Sequence, residues 1–338
     1  MNPQRLLDER GPVLDENGYP IPGYSTRSVR QYHRAQIHAN GMRIKEWDWY
    51  QVSNDHLCLQ FTYGHAAYVG QVDVMMFDFQ NGEKIFDVGT LIPFALYRMK
   101  LDKDAEKDSY ISYESKKIKM VLETKNNIRR LSFSCKDGDG EIILKRKNPH
   151  SLVITIPFDE KKTQFYYNHK INCMSAAGYV NWKGKRYVFN EKDSFGLLDW
   201  GRGVWPFHNE WYWSNATGYV DGEMLGFNLG CGFGNPSLAT ENIVFYKGGY
   251  SKYGNVIFEC DKTDYNKPWH IYDEDGRIDL ILDPVYDRLT KTKVLWIDNC
   301  TNQMFGGFKG FIILDDGTKI ELTGKELISF AEHAVNNW

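Results

Sequence analysis

Two stretches, WDWYQVSNDHLCLQFTYG at 47–64 and WYWSNATGYVDGEMLGFNLG at 211–230, decide how this chain is read. Each opens on two tryptophans one residue apart and runs through aromatic and β-branched residues. Ser53 to Asp55 supply a turn in the first, Asp221-Gly222 in the second. Each then returns through Leu57 or Leu225 to an aromatic residue three places before a glycine, Phe61 before Gly64 and Phe227 before Gly230. Apolar residues alternating with polar ones are the pattern of a strand with one buried face. The leading tryptophans are 164 residues apart, from 47 to 211, and the later landmarks Met76-Phe77 and Val244-Phe245 are 168 apart. The closing strands match as well. Gly178-Tyr179-Val180 leads through Lys183-Gly184 to Tyr187-Val188, and Gly310-Phe311-Ile312 leads through Asp316-Gly317 to Ile320 and Leu322.

Any two aromatic-rich meanders look somewhat alike, but landmarks kept in one order favour a duplication. A period this long means two domains rather than a solenoid. The expected division is 1–192, an N-terminal arm plus a first barrel, and 193–338, a second barrel. Working outward, 43–52, 56–63, 72–79, 117–124, 129–135, 141–146 and 151–157 are short strand-like segments. They are bounded by turn chemistry such as Asn81-Gly82 and Asn148-Pro149. Many short strands at this spacing indicate barrels or sandwiches. Residues 1–40 are polar, punctuated at Gly11-Pro12 and Pro20 to Gly23, and read as an irregular surface arm. The one helix expected covers 324–335, where Leu327, Ile328, Ala331 and Ala334 recur at helical spacing.

Composition agrees. A length of 338 residues exceeds the usual single domain, and halves of this size can bury a core without disulfides or metals. Aromatic residues make up 15%, including 10 tryptophans, which favours half-buried pleated surfaces. The net charge of −3 points away from nucleic acid and anionic membranes. Lys116, Lys117 and Lys119 read as one wet strand face. Six scattered cysteines without a CxxC read as reduced thiols of a cytoplasmic protein. The N-terminus has no apolar leader core, and no run approaches the roughly 18 apolar residues of a membrane span.

The most unusual segment is SFGLLDWGRGVWPFHNEWYW at 194–213, which packs Trp200, Trp205, Trp211 and Trp213 around Asp199, Arg202 and His208. Beyond it, NLGCGFGNPSLATEN at 228–242 adds glycines together with Asn228, Glu241 and Asn242. The LDWGRGVWP string, with the RLLDERG arm, the WDWYQV strand and ATENIVFY, resembles a family of bacterial proteins known as a domain of unknown function. That family is similar, more distantly, to two-domain lipocalin-like proteins, among them carotenoid 1,2-hydratase, AttH-type proteins, tocopherol cyclase and fungal cyclases acting on decalin precursors. The fold implied is all-β: two tandem lipocalin-like (calycin-type) antiparallel barrels, here with a short C-terminal helix. The hydratase branch carries a DHxWG-like string where this chain has Asp199-Trp200-Gly201. Trp200 stands where that histidine would be, a departure from the acid chemistry of that branch.

The residues leave several roles open. A carboxyl desolvated at Asp199 would serve as a general acid, whereas pairing with Arg202 would make it architectural. Arg202 suits bidentate contact with a ligand anion, or stacking between Trp200 and Trp205. The tryptophans are core or ligand walls. His208 is a proton carrier or a loop residue. Asn228, Glu241 and Asn242 face a cavity or form a strand-start turn. Cys231 has no activating histidine in its sequence neighbourhood. No metal signature, Walker string or GxSxG motif occurs, and Gly230 to Gly234 lack dinucleotide-binding spacing, so neither metal nor cofactor is expected. The leading expectation is a small, largely apolar or amphipathic ligand, with cofactor-free hydration, cyclisation or isomerisation. A noncatalytic carrier or structural protein is the alternative, and a carbohydrate-binding protein the third.

Overall fold

The computed structural model describes residues 4–294 and 297–338. It contains two large antiparallel sheets, each curled into a half-barrel around its own core. The first has 13 strands. Its central run passes from the edge strand Glu83–Pro93 through Val69–Asp78, Leu57–His65, Lys45–Ser53, Phe195–Val204 and Phe165–Trp182. It continues through Gly138–Arg146, Ile128–Cys135 and Ile118–Lys125 to the other edge, Ser109–Glu114. The second has nine strands, with His208–Val220 beside Lys319–Asn337 at its middle. Val52, Leu59, Phe61 and Trp200 fill the first half-barrel, and Leu225, Trp269 and Phe308 the second. Among the described residues all six cysteines are free.

Two sequence expectations meet a different outcome. Residues 324–335 form no helix: they belong to the strand Lys319–Asn337, paired on one side with His208–Val220 and on the other with Ile297–Ile313. The physical reason is burial on both faces. Leu327 and Ala331 point into the second core, while Ile328 and Phe330 point to the opposite face and pack against the first sheet. A strand apolar on both faces loses its alternation, and its hydrophobic positions then imitate a helix. The strand Phe195–Val204, read from sequence as opening the second half, is inserted in the first sheet between Lys45–Ser53 and Phe165–Trp182. Strands of the second sheet begin at His208.

The sheets meet through faces that are outer with respect to each half-barrel. Cys58, Phe77, Phe79 and Leu197 of the first pack against Trp213, Phe305 and Phe330 of the second. Polar groups cross the same interface. Gln60 donates to Gln303 at 3.0 Å and Asn172 donates to Asn215 at 2.9 Å.

Candidate functional site

Alternation along the strands decides which signature residues share a space. In Lys45–Ser53, Tyr50 and Val52 point into the first core, so Trp47 and Trp49 point to the inter-sheet face. In Phe195–Val204, Leu198, Trp200 and Val204 point inward, so Leu197 and Asp199 point to that same face. Asp199 and Arg202 are three residues apart and on a strand must face opposite ways. The sequence alternative that paired them therefore does not hold. Arg202 is fully buried inside the first half-barrel, donating to Asp48 at 2.8 Å and to the carbonyls of Trp47, Gly201 and Asp102. Its guanidinium lies 3.7 Å from the centre of the Trp200 ring. All of these partners are internal, and Arg202 sits in the core of the first half-barrel.

Asp199 accepts three hydrogen bonds: from Trp47 Nε1 at 2.9 Å, Asn168 Nδ2 at 2.6 Å and Lys170 Nζ at 3.1 Å. Lys170, only 2% exposed, also lies 3.6 Å from the carboxylate of Glu241, in the loop before the second sheet's strand Ile243–Tyr246, and 3.7 Å from the centre of the Trp213 ring. Glu241 in turn meets Asn228, whose side chain donates to the Glu241 carbonyl at 2.7 Å and accepts from Trp213 Nε1 at 2.6 Å. The result is a continuous buried chain, Trp47–Asp199–Lys170–Glu241–Asn228–Trp213, crossing from one sheet to the other. Two glycines make it possible. A Cβ on Gly201 would overlap the Trp47 ring, and one on Gly230 would overlap the Glu241 carboxylate.

The second half repeats the device. Asp199 is the register partner of Trp49 and accepts from Trp47; Glu332 is the register partner of Trp213 and accepts from Trp211 Nε1 at 2.8 Å. Lys170 opposes Asp199 in the ladder just as Gln303 opposes Glu332, and Gln303 donates to Glu332 at 2.9 Å. Both carboxylates are buried, but their partners differ. Burial pushes the Glu332 carboxyl up in pKa against the opposing pull of Trp211, Arg288, Lys170 and Gln303. Tyr166, fully enclosed nearby, is pushed well above its ordinary value by burial and then by Asp199, Glu241 and Glu332. The space therefore gathers three carboxylates, a lysine, a tyrosine and the tryptophans at 47, 211 and 213.

The remaining sequence candidates scatter. Trp205 is fully buried in an aromatic cluster with Phe158, Tyr166 and Phe233, which also receives Trp47 and Trp211. Asn242 holds the loop backbone, accepting from Gly230 N and donating to Gly254 O, both at 2.7 Å. His208 is exposed at its strand start and meets Asn337 at 2.9 Å. The Cys231 thiol, pushed up to about 12 chiefly by burial, is a poor nucleophile. Beside Glu241 a pocket of about 30 Å3, lined by Ile156, Gly230, Phe233 and Thr240, has room for about one water. Sequence reading missed Lys170, Asn168, Tyr166 and Glu332 as site residues. Trp47 was visible through the repeat, as the counterpart of Trp211. Among the described residues no group of three or more His, Cys, Asp or Glu is placed to hold a metal ion.

Comparison with known proteins places this architecture. A structure described as an AttH protein of Nitrosomonas europaea superposes with a TM-score of 0.58 at 11% identity, over 96% of this chain and 98% of that one. The structure of CghA with Sch210972 superposes with a TM-score of 0.51 at 9% identity, over 97% of each chain. Among curated proteins, a chloroplastic tocopherol cyclase of Oryza sativa subsp. japonica is 29% identical over 114 residues, 30% of this chain. That match spans only 22% of the cyclase's length. At such identities the structural likeness is one of fold. The profile of the family described as Domain of unknown function (DUF2804) matches residues 4–338, and the chain belongs to that family.

Proposed function

We propose that the space between the two half-barrels binds a small, largely apolar molecule and converts it by cofactor-free acid–base chemistry of the hydration, cyclisation or isomerisation kind. The observation that carries this reading is the buried Asp199–Lys170–Glu241 chain walled by tryptophans. Taking three charges out of water costs several kcal/mol per ion before pairing repays it. A fold needing only adhesion between sheets would do as well with apolar residues. In this reading Glu332, a carboxyl that burial pushes up in pKa, is the acid, and Asp199, accepting from three donors, polarises the ligand or stabilises developing positive charge. The tryptophan faces supply apolar walls and cation–π stabilisation. The likeness to a tocopherol cyclase and to the CghA structure supports a small-molecule site on this fold.

The structural reading also has an observation behind it. The pocket beside Glu241 is water-sized and the charged groups are mutually satisfied, so the cluster would serve as a clamp between the halves. Native mass spectrometry of freshly purified protein, with solvent extraction of what co-purifies, separates the two. A stoichiometric apolar molecule that disappears in Glu332→Gln and Trp213→Ala, with both variants still folded, supports the site. A clean apo mass in every expression host, with Asp199→Asn lowering stability alone, supports the clamp and overturns the proposal.

A further inference from the structure

We propose a second functional surface, independent of the Asp199 cluster: the open seam of the first half-barrel docks on an anionic lipid bilayer. The seam is where the two edge strands, Glu83–Pro93 and Ser109–Glu114, face each other without pairing. Leu91, Ile92, Pro93, Arg98 and Tyr113 line an open depression of about 300 Å3 there. The most exposed large apolar side chains of the described residues lie on the loop that follows Leu91 and on the edge strand Ser109–Glu114. Tyr97 is 81% exposed, Leu91 and Phe94 66% each, and Tyr110 65%. Scattered exposed leucines need no explanation, but three large exposed side chains within residues 91–97 do.

The loop that carries them is held in place. Ala95 and Met99 are buried beneath it, and the backbone nitrogens of Phe94 and Leu96 donate to the carbonyls of Tyr68 and Ala67. Phe94 has a φ of 52°, a left-handed conformation that a bulky residue rarely adopts. Strain of this sort persists only where surrounding structure enforces it, and here it turns an aromatic ring out toward water.

Charge in the segment is sorted by direction. Residues 98–108 contain Arg98, Lys100, Lys103 and Lys107 against Asp102, Asp104, Glu106 and Asp108, an even balance in sequence. In space the balance is broken. Asp102 is half-buried, its carboxyl pushed up by burial. Asp104 accepts from Ser28, Glu106 pairs with Arg146, and only Asp108 of the four acids is exposed, accepting from the backbone nitrogen of Asn126. Arg98, Lys100 and Lys103 are exposed and have no carboxylate partner among the described residues, while Lys107 has Asp104 at 3.8 Å. Protruding aromatic and aliphatic side chains amid unpaired cations match the interface of an anionic membrane, where rings sit at headgroup depth and cations meet lipid phosphates. The overall charge of −3 conceals this local excess.

The test is co-sedimentation of the full-length protein with vesicles of phosphatidylglycerol and phosphatidylcholine in equal parts, and with pure phosphatidylcholine. Binding to the anionic vesicles alone, weakened by salt, is expected. Arg98→Glu/Lys100→Glu should lower the partition coefficient onto anionic vesicles by about fivefold or more per cation removed. Phe94→Ser/Tyr97→Ser should lower it comparably, with thermal stability unchanged because both side chains are exposed. Lys183→Glu/Lys185→Glu, an equal charge change on another exposed turn, should bind like the unmodified protein. Absence of binding to anionic vesicles overturns the proposal, and so does equal loss in the Lys183/Lys185 control.

Discussion

At the residue scale the organising group is Lys170. It is buried, touches one carboxylate from each half of the molecule and rests on the face of Trp213. Lys170→Met keeps much of the side-chain volume but leaves Asp199 and Glu241 facing each other without a cation. It should cost about 3–5 kcal/mol in urea unfolding. Lys170→Met with Asp199→Leu should cost less than the sum of the single changes, because the two residues belong to one network. Asp73 offers a pH test of the same interface. Burial pushes its carboxyl up to about 6 against the pull of Arg288, Thr62 and Gln71. A raised carboxyl favours the folded state while protonated, so this contribution is present at low pH and is lost as pH rises from about 4 through about 6. Asp73→Asn should therefore gain stability relative to the unmodified protein between pH 4 and pH 7, by at most about 3 kcal/mol. Unfolding curves at the two pH values measure it, and a constant difference would refute it.

At the element scale the two WxW strands are one device used twice. Each presents two tryptophans to the inter-sheet face, and each lies beside a strand whose carboxylate accepts from the first indole. Gly201 is part of that geometry because the Trp47 ring occupies the space a side chain would need. Gly201→Ala should destabilise by about 1–3 kcal/mol through overpacking. It should also weaken the Trp47–Asp199 bond, seen as a red shift of tryptophan emission. Gly249→Ala, also in a strand without positive φ and meeting nothing closer than 3.5 Å, controls for the substitution without the clash.

At the scale of the whole molecule, the position of Phe195–Val204 governs where the chain can be divided. It lies inside the first sheet with a paired strand on either side, so a fragment ending at residue 192 lacks a central strand. Fragments 1–204 and 205–338, expressed together, should associate through the faces of Trp49, Phe77, Trp213 and Phe330 and co-elute on size exclusion. Fragments divided at 192 should fail to do so. Expressed alone, 205–338 should aggregate, because the face carrying Trp211, Trp213, Phe305 and Phe330 would be left uncovered.

The sequence by itself determined the all-β class, the strand character of both WxW segments, the repeat and the aromatic richness of the signature. These are local matters: alternation, turn residues and side-chain type are written in neighbouring positions. It misled where a strand was buried on both faces, as at 324–335, since alternation vanishes when both sides need apolar residues. Only the tertiary structure decided which polar residues meet. Asp199 and Arg202 are three residues apart in the motif yet face opposite sides of the sheet, while Lys170 and Glu332 from distant strands and Glu241 from a loop share one buried space. Facing depends on parity along each strand, and proximity on how two sheets pack, and neither is carried by spacing within a single motif.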